Sequence, residues 1–142
     1  MRRTIMAAGT ALLTLAAAAS AQQRSASHAQ PSWRGRPLSA WVQDLKTAQA
    51  PYSRNMAAYA ISGMGPAAAS AVPALIEALN NPDEVNTVLY PIEVALREIG
   101  PAAAAAVPAL QKKVDYPNDD VSHMARQALK AITGVEVPKP AN

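Results

Sequence analysis

At 142 residues the chain has room for one domain. Its 13 Lys and Arg against 10 Asp and Glu give a net charge of +3, but Arg2 and Arg3 open the N-terminal segment, and without them the balance is 11 against 10. That near-neutrality excludes the basic stripe needed to neutralise a nucleic-acid backbone. The absence of Cys excludes disulfides and thiolate metal sites, and leaves apolar packing as the main source of stability.

Residues 1–21 have the three parts of a secretory signal: the Arg2-Arg3 start, an uncharged and mostly apolar run over residues 5–19, and Ala19-Ser20-Ala21 as an A-x-A cleavage site. The run is Ala-rich and falls short of the roughly 20 apolar residues that span a bilayer. Cleavage before Gln22, export to the periplasm or medium, and no stable membrane insertion afterwards are the expectation. Residues 22–36 (QQRSASHAQPSWRGR) are polar and aperiodic and contain Pro and Gly, which predicts a flexible lead-in. Trp33 and Arg34 either anchor its end on the first helix or stand exposed.

Six helical patterns follow, spaced at i, i+3, i+4 and i+7. Leu38, Trp41, Val42 and Leu45 mark the first; Met56, Ala57, Ala60, Ile61 and Met64 the second. Val72, Leu75, Ile76 and Leu79 mark the third. The fourth runs through Val85, Val88, Leu89, Ile92, Leu96 and Ile99. Val107, Leu110 and Val114 mark the fifth, and the sixth carries Val121, Met124, Ala125, Ala128, Leu129 and Ile132. Nothing alternates with period two long enough to predict a strand. Gly65-Pro66, Gly100-Pro101 and Gly134 supply left-handed stops. Pro73 and Pro108 cannot sit in a helix interior, so the third and fifth helices start there and the Ala-rich turn before each is a separate short helix. The turns at residues 80–83 (NNPD) and 116–119 (YPND) offer Asp to cap the next helix. Pro91 falls inside the fourth stripe on its polar side. Either it kinks a helix that begins at Val85, or the helix begins near Thr87 and Pro91 occupies the first turn. Residues 135–142, with two prolines, predict a disordered tail.

Residues 64–75 (MGPAAASAVPAL) recur as residues 99–110 (IGPAAAAAVPAL), displaced by 35 positions with ten of twelve identical. Such self-similarity marks a repeat array. The helix pairs joined by GP-A-A-x-A-V-P-A-L resemble HEAT repeats, specifically the short HEAT-like repeats of the phycobilisome-lyase type. The A-L-x-x-I endings at residues 95–99 and 128–132 share in the likeness. Arg54 stands at the family's frequent Arg, while repeats two and three have Leu89 and Ser122 there, which departs from a continuous Asp–Arg ladder. Residues 35–46 (GRPLSAWVQDLK) look like the opening helix of small exported bacterial HEAT proteins. The resemblance covers residues 37–134, with repeats at about 37–65, 66–100 and 101–134. It implies an all-α fold, an α-solenoid of about three helical hairpins.

Candidate chemistry is sparse. His28 lies in the lead-in, and His123 beside Asp119 and Asp120 is a solvated His among capping carboxylates before it is a metal ligand. The serines have no neighbouring His to act as base. No catalytic residue, cofactor or metal is expected. The resemblance lines the concave side of the array with the second helix of each pair, and so makes their polar faces neighbours: Tyr59 with Asn55, Ala58 and Ser62; Tyr90, Glu93 and Arg97 with Val94; His123, Arg126 and Lys130 with Gln127. Tyr and Arg are frequent interface anchors. The same residues read equally as a solvated face, with Glu93 and Arg97 as an i, i+4 pair. The expected function is a non-catalytic scaffold that binds another protein through this groove. The alternatives are a structural or oligomerisation element stacking copies through its end repeats, where Trp41 and Val42 lack a preceding repeat, and, last, a lyase-like accessory subunit.

Overall fold

A computed structural model describes residues 30–139. The signal segment at residues 1–21, most of the expected lead-in and the last three residues lie outside the described residues. The described part is mostly helical. It opens on a hairpin of two short antiparallel strands, β1 (Ser32–Trp33) and β2 (Arg36–Pro37), in the register Ser32 to Pro37 and Trp33 to Arg36. The turn residues Arg34 and Gly35 both carry positive φ, +51° and +76°, the combination a two-residue hairpin turn demands. This corrects the expectation of a flexible, strand-free lead-in over residues 31–36. The cause is aromatic: Trp33 stands edge-on against Trp41 of the first helix, ring centroids 5.9 Å apart, with Arg34 and Arg36 each lying over one of the two rings.

The helices follow in the expected order. α1 (Leu38–Thr47) and α2 (Pro51–Ser62) form the first pair, with Pro51 pre-set for the first helical turn. A 3₁₀ helix (Gly65–Ala71) leads into α3 (Val72–Leu79), which pairs with α4 (Asn86–Ile99). A second 3₁₀ helix (Gly100–Ala106) leads into α5 (Val107–Gln111), and α6 (Asp119–Thr133) completes the third pair. Pro73 and Pro108 occupy the second position of α3 and α5, so neither removes a helical hydrogen bond. The Ala-rich turns become 3₁₀ helices whose buried positions, Ala68 with Ala71 and Ala103 with Ala106, are three residues apart. That spacing is the 3₁₀ period. The two 3₁₀ helices pack on each other, an approach that methyl side chains permit. Gly65, Gly100 and Gly134 carry the positive φ expected of the stops.

α4 packs against α2 on one side and α6 on the other. Its Val88, Leu89, Ile92, Leu96 and Ile99 join Leu75, Leu79, Leu110, Val121 and Leu129 in one continuous core. Val85, expected in this stripe, is instead the exposed residue preceding α4. Because α4 begins at Asn86, Pro91 lies beyond the first turn, and it is buried rather than on a polar side. Lacking an N–H, it leaves the Thr87 carbonyl without its helical partner. The Asn55 side-chain amide of α2 donates to that carbonyl at 2.5 Å. Asn118, not an Asp, caps α6, its Oδ1 accepting from the Val121 N–H at 3.1 Å. Residues 135–139 have no regular structure, but Val137 packs against the core. Among the described residues no helix is long and apolar enough to cross a membrane.

Candidate functional site

The side-by-side packing of α4 with α2 and α6 builds a groove of about 450 Å³ across the three helices. α2 contributes Asn55 and Tyr59, one helical turn apart on one face. α4 contributes Asn86, Thr87 and Tyr90 from its first turns, and the start of α6 contributes Asn118 and Asp120. Tyr59 is 41 % exposed and Tyr90 half-buried. Two phenol side chains, one aliphatic hydroxyl, three amides and one carboxylate therefore converge from segments as much as 65 residues apart in sequence. Asn55 and Asn118 each spend one end of the side chain on the fold, Asn55 on the Thr87 carbonyl and Asn118 on the α6 cap.

Of the residues singled out from the sequence, Asn55, Tyr59 and Tyr90 meet in this groove. His123 and Lys130 are exposed but do not line it, and Lys130 pairs with Glu136 of the tail at 2.5 Å. Arg97 also lies outside it. Its guanidinium bonds Glu98 at 2.6 Å and reaches the Met124 sulfur at 3.8 Å, so the expected Glu93–Arg97 pair does not form. Arg126 is 9 % exposed and donates to the Val114 carbonyl at 2.6 Å, tying α6 to the chain after α5. Arg97 stays half-exposed beside Glu98, whereas the flank that carries Arg126 is covered by the chain after α5.

Glu93 is the extreme case. It is fully buried at mid-helix in α4, and neither carboxylate oxygen has a hydrogen-bond partner among the described residues. Burial pushes its carboxyl up to about 9, against a smaller opposing pull from the Lys113 charge. At neutral pH it is therefore a neutral acid inside the fold rather than a surface charge. Asn86, Thr87, Asn118 and Asp120, which complete the groove, sit in turns and first helical turns, where their residue types signal capping, whereas Asn55, Tyr59 and Tyr90 lie on the faces legible in sequence.

A second concavity, of about 590 Å³, lies beside the ends of α1 and α3 and is organised around Arg54. Arg54 bonds Glu84 through two nitrogens, both at 2.8 Å, and donates to the Ala48 and Gln49 carbonyls at 2.8 and 2.9 Å. The Glu84 side chain is 2 % exposed, and its Oε1 also accepts from the Val85 N–H. The hydrogen bond to Glu84 raises the Arg54 guanidinium further above its ordinary value. Every arm of this ion pair is spent within the fold, joining α2 to the chain after α1 and to the turn before α4. It is a staple, with no group left to hold a ligand. Comparison with protein-family models, with curated proteins and with solved structures yields no match to this chain.

Proposed function

We propose that this chain is a non-catalytic protein-binding module, built as an α-solenoid of three HEAT-like hairpins and exported by a cleaved signal at residues 1–21. The 35-residue repeat supports the solenoid, together with the succession of α2, α4 and α6 packed one on the next. In that architecture α2, α4 and α6 form the inner face. The single observation that carries the binding reading is the groove that draws Tyr59 and Tyr90 together with side chains from all three helices. The absence of catalysis is in keeping with how the titratable groups are used: Arg54 and Glu84 staple, Asp119 and Asp120 favour the α6 N-terminus, and Glu93 is sealed off.

End-to-end stacking of copies has less to recommend it, since the Trp33 hairpin lies against Trp41 at the end where an open face was expected. Photocrosslinking in intact cells from positions 59 and 90, with Gln43 and Lys112 on α1 and after α5 as controls, tests the reading. Capture of one and the same protein from positions 59 and 90, and not from the controls, is the expected result. Capture from the controls alone refutes it.

A further inference from the structure

We infer that the groove takes an extended segment of a partner protein and holds one Lys or Arg side chain of that segment between Tyr59, Tyr90 and Asp120. The inference rests on the protein-binding reading above and adds the chemistry of the partner. Among the described residues, none of the side chains lining the groove is Lys, Arg or His, and Asp120 supplies its one formal charge. The helix starts at its rim would otherwise attract anions. At the α6 start that pull is met by the Asn118 cap and by Asp119 and Asp120, while α4 begins without a side-chain cap. Among the described residues no Lys, Arg or His side chain lines the groove to pair with an anion, while a cation meets the Asp120 carboxylate beside two tyrosine side chains.

The amides select a peptide around that cation. Asn55 has given its Nδ2 to the Thr87 carbonyl, leaving Oδ1 as an acceptor. Asn118 has given its Oδ1 to the Val121 N–H, leaving Nδ2 as a donor. One acceptor and one donor, each held by a structural bond at its other end, are the complement of a backbone N–H and C=O. The long aliphatic stem of Lys or Arg lies along a tyrosine ring while its charged head reaches the carboxylate. Tyr52 adds to the aromatic character of this side. It is 74 % exposed and precedes Asn55 and Tyr59 by three and seven residues, the spacing of a single helical face.

The test is an NMR titration of the ¹⁵N-labelled full chain with three peptides, acetyl-Gly-Ser-Lys-Ser-Gly-amide and its Gln and Glu counterparts, and with cellohexaose as a neutral polyhydroxyl probe. The Lys peptide should shift the Tyr59, Tyr90 and Asp120 amides saturably and bind about five- to tenfold more tightly than the Gln peptide, in line with one cation–π and ionic contact. Asp120→Asn should erase that preference. Tyr59→Leu, an exposed change that leaves the melting temperature in place, should weaken the Lys peptide by about fivefold. Equal binding of all three peptides, or shifts of these amides by cellohexaose alone, overturns the inference. If crosslinking captures one protein from positions 59 and 90 while the Lys peptide shifts nothing, the basic-segment inference falls and the binding groove stands. If only the control positions capture protein and the Lys peptide shifts nothing, both fall.

Discussion

Replacing Glu93 with Gln should stabilise this protein, and by an amount that depends on pH. In the fold the carboxyl is fully buried without a partner and pushed up to about 9, whereas in the unfolded chain it titrates near 4.5. Between those values the folded state holds one more proton than the unfolded state. Unfolding then becomes more favourable as pH rises, by about 1.4 kcal/mol for each pH unit. The contribution of Glu93 is least unfavourable below about 4.5 and deteriorates up to about 9. At pH 7 the difference amounts to about 3 kcal/mol, a large share of the 5–15 kcal/mol that typically separates folded from unfolded domains. Gln has the shape of the neutral acid and never ionises, so Glu93→Gln should recover about 3 kcal/mol at pH 7 and little at pH 5. Glu93→Leu also removes the buried polar atoms and should gain about 1–3 kcal/mol more where the cavity accepts its shape. Urea denaturation at pH 5, 7 and 8.5 measures this directly. A parental stability that is flat across those pH values, or a Glu93→Gln protein weaker than its parent at pH 8.5, refutes the reasoning.

Other perturbations probe separate parts of the structure. Leu75→Ala and Leu96→Ala each empty a fully buried site and should cost about 2–5 kcal/mol in denaturant unfolding. Arg54→Met strands the buried Glu84 carboxylate and should cost about 3–5 kcal/mol, while the Arg54→Met/Glu84→Leu double variant recovers most of it; a double variant as weak as the single would reject the staple. Gly63→Ala places a methyl 2.6 Å from the Trp33 indole nitrogen. It should dislodge the hairpin at a cost of about 1–3 kcal/mol, seen as loss of the Trp33–Trp41 coupling in near-ultraviolet circular dichroism.

What the sequence determined by itself was everything that depends on near neighbours along the chain. The 3.6-residue stripes placed the helices, Gly100 and Gly134 ended α4 and α6, and Pro73 and Pro108 marked where α3 and α5 start. These are matters of dihedral preference and local hydrogen bonding, so a few residues suffice to decide them. Tyr59 and Tyr90 were legible as groove candidates because their residue type and helix face are local properties too. Tertiary structure alone decided how far the polar flanks are covered. Glu93 and Arg126 read as surface residues because their own helices leave them outside the stripe, yet tertiary packing buries both, Arg126 against the chain after α5. The Thr87 carbonyl freed by Pro91 is satisfied by Asn55, 32 residues earlier, and Arg54 finds Glu84 30 residues later. The hairpin over Trp41 likewise holds its place because Gly63, far along the chain, leaves room for Trp33 against Trp41. Local periodicity records which side of a helix is apolar, while what covers its other sides is set by the packing of the whole fold.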